Sequence, residues 1–116
     1  INNISKEHKT VILDCVTLLV NNLMFTYEID IDNSTQDEIN ELEKYIKEQV
    51  EKLLIEIKKT NLYFVIVTNE LGLGGVSINK LTRIYTDIIG RINQQIATHS
   101  DEVYFVVSGI PMKIKG

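Results

Sequence analysis

A basic footprint, a second cysteine and a long apolar run are all missing from this chain. Its net charge is −4 and its pI is near 5.1. Nucleic acids and anionic membrane surfaces are bound through clustered Lys and Arg, so neither is expected as a partner. Lys47, Lys52, Lys58 and Lys59 do fall together, but they alternate with glutamates along one helical segment. The single cysteine, Cys15, excludes an internal disulfide and fits a reducing, cytoplasmic setting. At the end of an apolar strand it reads as a small buried hydrophobe rather than a reactive thiol. No apolar stretch approaches the roughly 20 residues of a membrane span, and no secretory leader pattern opens at Ile1. Internal repeats, low-complexity tracts and linkers are also lacking. The 116 residues, 44% hydrophobic and 24% charged, therefore read as a single domain, residues 1–116.

The apolar residues are organised by period. Thr10–Asp14 (T-V-I-L-D), Tyr63–Val67 (Y-F-V-I-V) and Val103–Val107 (V-Y-F-V-V) are short, nearly unbroken apolar runs. Such runs suit strands covered on both faces in a parallel sheet. Thr17–Phe25 reads as a short helix and Thr26–Ser34 as a loop. Thr35 with Glu38 three residues on forms a capping box that opens a long helix. Ile39, Leu42, Ile46, Val50, Leu53 and Ile57 give that helix one apolar stripe. A second amphipathic helix carries Leu81, Ile84, Tyr85, Ile88, Ile92 and Ile96 and ends near His99. Met112–Ile114 adds a short strand after a turn at Gly109–Pro111. The order β-α-α-β-α-β predicts an α/β fold with a three-layer, mostly parallel sheet and right-handed crossovers. Three or four strands make that sheet thin, and an unpaired apolar edge invites pairing with another chain.

Candidate chemistry gathers where strands end, because open parallel sheets bind ligands at the carboxyl ends of their strands. Asp14 leaves the first strand there and can hold Mg²⁺ against nucleotide phosphates; capping the next helix is the alternative. Thr17 and Asn22 share its context, and a helix-start hydroxyl and a packed amide explain them equally well. Thr68, Asn69 and Glu70 follow the second strand and should line the same crevice. Gly72, Gly74 and Gly75 permit positive φ and close approach, or simply a tight turn. No Lys-Ser or Lys-Thr follows these glycines, so the loop is not a phosphate loop. On the second long helix Arg83, Asp87 and Arg91 stand four apart opposite the apolar stripe, an ion-pair ladder worth about 0.2–0.5 kcal/mol per pair. Gly90 on that polar face costs roughly 1 kcal/mol relative to Ala, which close packing of another element or subunit would offset. Arg91, Asn93 and Gln94 then become interface or site residues. His8, among Lys6, Glu7 and Lys9, and His99, in a last helical turn favourable to cations, receive no catalytic role.

The run V-T-N-E-L-G-L-G-G-V, the helix segment G-R-I-N-Q, the stretch D-E-V-Y-F-V-V-S-G-I-P-M-K-I-K and, upstream, V-I-L-D-C-V-T-L-L-V-N-N-L-M-F occur in one order. Together they resemble the bifunctional adenosylcobinamide kinase / adenosylcobinamide-phosphate guanylyltransferase family over nearly the whole chain. The resemblance implies a fold of P-loop NTPase (RecA-like) type, N-terminally truncated here to the C-terminal two-thirds. It implies GTP or ATP as substrates with Mg, a corrinoid acceptor and a homotrimer. Asp14 stands at the family's nucleotide–metal carboxylate; Thr17, Asn69, Glu70 and Arg91 are weaker candidates. The family's opening phosphate loop, G-x-x-x-x-G-K followed by Ser or Thr, does not occur in this sequence, and its nucleophilic histidine lies upstream. The fragment alone is therefore expected to be inactive. Gly75 and Ser77 replace a usual bulky residue and a proline, and Lys80 and Thr86 stand where arginines are frequent. A non-catalytic α/β domain that assembles through the Arg83–Gln94 face is the rival reading. An unrelated flavodoxin-like binding domain is disfavoured by the specific matches.

Overall fold

The computed structural model describes residues 10–27, 30, 33–69 and 80–116. The elements are β1 (Thr10–Asp14), α1 (Val16–Tyr27), α2 (Gln36–Lys58), β2 (Tyr63–Val67), α3 (Lys80–His99), β3 (Val103–Val107) and β4 (Ile110–Lys115). All three apolar runs are strands with the expected bounds. The capping box is present in full. Thr35 Oγ1 accepts from the Glu38 N–H at 3.2 Å, and Glu38 Oε1 accepts from the Thr35 N–H at 3.3 Å. Two of the orphan donors at the start of α2 are thus satisfied.

The helices supply the core. Leu42, Ile46, Val50 and Leu54 of α2 meet Ile88, Ile89, Ile92 and Ile96 of α3 and Val16 and Val20 of α1, and Ile39 of α2 is buried as well. Two details of the stripes differ from expectation. Leu54 rather than Leu53 is buried, because 3.6 residues per turn carries the stripe one place on after Val50. Leu81, in the first turn of α3, is 47% exposed, while Ile89 joins the core. Tyr85 ties α3 to α1 by donating its hydroxyl to the Thr17 carbonyl at 3.0 Å. Burial, with Cys15 nearby, pushes the phenol pKa up, so it remains a donor.

The strands do not form one sheet. β1 and β2 pair in parallel, Thr10 opposite Tyr63 through Asp14 opposite Val67. β3 instead pairs antiparallel with β4 in a separate two-stranded sheet. That corrects the expectation of a single parallel sheet. An apolar run reports that a strand wants cover on both faces, and carries no information about which strand it pairs with. The β3–β4 turn has Ser108 at φ 51° and Gly109 at φ 76°. Two consecutive positive φ values fit a tight hairpin turn whose twist matches the flanking strands. Pro111 then falls within β4, on a strand with one unpaired side, where a missing N–H is tolerated.

One face of the β1–β2 pair is half-buried, with Ile66 packed against the helical core, and the other is exposed, so the described residues do not show the expected three layers. Val11, Leu13, Phe64 and Ile66 alternate toward the helices and are half-buried. Ile12, Tyr63, Val65 and Val67 point the other way and are exposed. Among the described residues, no helix is long and apolar enough to cross a membrane.

Candidate functional site

The in-register parallel pair brings three of the sequence-predicted positions to one edge. Asp14 and Val67 are partners at the last step of the ladder, so Thr68 and Asn69 continue β2 over the same edge. Asp14, Thr68 and Asn69 are all exposed. Strand alternation groups the Asp14 side chain with Ile12, on the face the helices leave bare. Thr68 turns the opposite way, toward α3. The edge therefore has two sides, an acidic one facing away from the helices and a polar one fastened to them.

The fastening is a fork. Thr68 Oγ1 donates to Asn93 Oδ1 at 2.6 Å, and Asn93 Nδ2 donates to the Asn69 carbonyl at 3.1 Å. Thr17, the second residue of α1 and three residues after Asp14, keeps its Oγ1 buried without a hydrogen-bond partner among the described residues. Glu70, Gly72, Gly74, Gly75 and Ser77, and also His8, lie outside the described residues.

Residues 1–114 match the family of cobinamide kinases / cobinamide phosphate guanyltransferases. The chain belongs to that family. Over 108 residues it is 41% identical to the bifunctional adenosylcobalamin biosynthesis protein CobU of Escherichia coli, covering 93% of this chain and 59% of that protein. The CobU protein of Salmonella typhimurium is 39% identical over 105 residues, 58% of its length. The CobP protein of Pseudomonas aeruginosa is 32% identical over 108 residues, 54% of its length. The chain thus spans somewhat more than half the length of the curated relatives it matches.

Within this family member the helix segment G-R-I-N-Q divides its work. Arg91 forms a two-pronged ion pair across to α2: its Nε lies 2.8 Å from both Glu43 carboxylate oxygens, and its Nη2 also reaches Oε1. Burial alone would raise the Glu43 pKa, but the hydrogen bonds and charges of Arg91 and Lys47 hold it below the ordinary carboxylate value. The sequence pairs Arg91 with Asp87 on its own helix. The partner it makes its hydrogen bonds to lies 48 residues away, at a separation no helical period reveals. Gly90 faces open space: a Cβ placed there meets nothing within 4 Å, so no described element of this chain packs closely against it.

A concavity among the described residues lies elsewhere. A shallow groove of about 510 Å³ runs between α2 and α3, lined by Asn40, Glu43, Lys44, Lys47, Glu48, Glu51 and Gln95. Two of its three carboxylates, Glu43 and Glu51, serve the chain itself. Glu43 holds Arg91, and Glu51 accepts from Gln95 Nε2 at 2.9 Å and contacts His99 Nε2 at 3.1 Å. The Gln95 hydrogen bond leads in drawing the Glu51 pKa down, with His99 and Lys58 adding to it. Lys58 Nζ lies 3.3 Å from the other ring nitrogen of His99. This cluster ties α3 to α2. The strand edge is the stronger candidate, because open parallel sheets present ligands at the carboxyl ends of their strands.

Proposed function

We propose that this chain is the larger part of an enzyme that phosphorylates adenosylcobinamide and then transfers GMP from GTP to adenosylcobinamide phosphate. Family membership carries the reading. The geometry supports it by bringing Asp14, Thr68 and Asn69 to one carboxyl edge of a parallel strand pair. In the first reaction the nucleotide γ-phosphoryl group, from ATP or GTP, passes to a corrinoid hydroxyl. In the second, GTP releases pyrophosphate as GMP joins the corrinoid phosphate.

Phosphoryl chemistry asks a protein mainly for alignment and charge neutralisation. Among the described residues, no group of three or more His, Cys, Asp or Glu gathers to hold a metal. Magnesium in nucleotide sites needs only one or two carboxylates, with water and phosphate completing its shell, so exposed Asp14 fits. Bound there, Mg²⁺ would neutralise phosphate charge. Thr17, Asn69, Glu70 and Arg91 remain weaker nucleotide-contact candidates, and Arg91 already has Glu43 as a partner.

Two structural features support a P-loop NTPase-type sheet of three layers in the longer protein. The bare apolar face of β1–β2 is suited to a further layer, and the two separate strand pairs leave edges that further strands can join. A homotrimer is proposed with them, Gly90 giving a smooth patch on α3 for another subunit. The 116-residue chain alone is expected to transfer neither phosphate nor GMP.

Asp14→Asn in the full-length protein tests the reading. The amide keeps size and hydrogen bonding while removing the charge that holds a cation. Magnesium-dependent turnover should fall by about 10²-fold or more with the fold intact. Unchanged kinetics across a magnesium titration would leave Asp14 as a strand-end cap and remove the strand edge from the mechanism.

A further inference from the structure

We infer that Asn93 is the positioning residue of the strand-edge site, its one amide fixing both Thr68 and Asn69 beside Asp14. The inference rests on the proposal that nucleotide binds at this edge. A mid-helix Asn is a poor helix former, and its usual competing bonds are to its own neighbouring backbone. In α3 it reaches instead to residues 24 and 25 positions away. The orientation of its amide follows from its partners. The Asn69 carbonyl can only accept, so it must face the NH₂ group, which leaves Oδ1 for the Thr68 hydroxyl.

The fork has a chemical consequence at the edge. The only hydroxyl proton of Thr68 is directed to Asn93 Oδ1 at 2.6 Å, a short but ordinary O–H···O distance. The Thr68 oxygen thus meets a ligand as an acceptor. It suits a hydroxyl, an N–H or a cation-bound water rather than a bare phosphate oxygen. Asn69 has its carbonyl occupied, which fixes the backbone at that residue. Both residues are solvent-exposed, so without the fork little else among the described contacts would hold them.

The test uses the full-length enzyme with Asn93→Ala, Thr68→Val, Thr68→Ser and Asp14→Asn, each assayed for kcat and KM well below its melting temperature. Small misplacements of site groups can cost about 10²-fold, so Asn93→Ala should lose about 10- to 100-fold in kcat/KM while still folded. Thr68→Val should show a similar loss, and Thr68→Ser, which restores the hydroxyl, should recover to within about threefold of wild type. Combining Asn93→Ala with Thr68→Val should cost little more than the worse single change, since both break one unit. If Asn93→Ala does not fold, Thr68→Val with its serine rescue decides alone. Full activity in Asn93→Ala and Thr68→Val, with only the melting temperature lowered, overturns the inference. If Asp14→Asn is then still impaired, the nucleotide reading survives; if Asp14→Asn is also fully active, both fall.

Discussion

The helical half and the strand half of this molecule are finished to different degrees. Leu42, Ile46, Ile88, Ile89 and Ile92 have no exposed surface, and every fully buried residue among those described belongs to a helix. The strands contribute half-buried residues on one face only. Ile12 is 66% exposed, Tyr63 63%, Ile110 69% and Ile114 63%. Polar groups divide in the same way. Between α2 and α3 they are joined by Arg91–Glu43 and by the Glu51–Gln95–His99 cluster, whereas at the strand edge the Asp14 side chain faces away from the Thr68–Asn93–Asn69 fork. The helices have already found their partners, and the strands present surface suited to a layer the described residues do not supply.

The largest expected effects test that contrast directly. Ile92→Ala removes a fully buried side chain among packed helices and should destabilise the 116-residue chain by about 2–5 kcal/mol in denaturant titration. Ile12→Ala in the same chain should change stability by less than about 0.5 kcal/mol, as an exposed substitution does. In the full-length protein Ile12→Ala should cost about 2 kcal/mol or more, because a third layer would bury it. An Ile12→Ala cost equally small in both lengths would show that this face stays bare, and the three-layer sheet would fail with it.

How much of this was legible in the sequence follows the range of the forces involved. Strand bounds at Thr10–Asp14, Tyr63–Val67 and Val103–Val107 and the Thr35–Glu38 box are local, and all are found in the structure; the short strand expected at Met112–Ile114 is longer, Ile110–Lys115, and takes in Pro111 from the expected turn. The pairing of β3 with β4 rather than with β1–β2 is a tertiary choice, and apolar runs alone do not encode it. The α2 stripe was readable to within one residue at Leu53–Leu54. Within the site, the strand-end rule located Asp14, Thr68 and Asn69. Asn93 is legible as an interface or site residue beside Gly90, but its fork spans 24 and 25 residues and obeys no period. Arg91 was read through helical spacing to Asp87, whereas its hydrogen-bonded partner Glu43 lies across the helix interface.

Gly90 sharpens the comparison from the helical side. Its Cβ position is open, so in the 116-residue chain Gly90→Ala should gain helix propensity and stabilise by up to about 1 kcal/mol. That corresponds to a melting temperature higher by about 4 °C. In the full-length protein Gly90→Leu should act in the opposite sense, disrupting the proposed subunit contact and lowering the mass seen by light scattering. A Gly90→Leu protein that melts higher at unchanged mass would make this face solvated surface, complete without a partner.

The smallest effect is electrostatic and its sign follows from the Glu43 pKa. The folded-state value lies below the ordinary one, so ionised Glu43 stabilises the fold at pH values above its unfolded pKa, about 4.3. That stabilisation is lost as pH falls through the lower folded-state value. Arg91 is 47% exposed on its side chain, so solvent screening keeps the pair to about 0.5–1 kcal/mol despite its two-pronged geometry. Glu43→Gln should therefore be less stable than wild type by that amount near pH 7, with the gap closing below about pH 4. Raising the salt to about 1 M should narrow it at neutral pH as well, because the screening length shrinks to about 3 Å. A gap that persists unchanged into acid would assign the Glu43 contribution to packing between α2 and α3 rather than to charge. The polar joints of the helical half would then be shape contacts, like its apolar core.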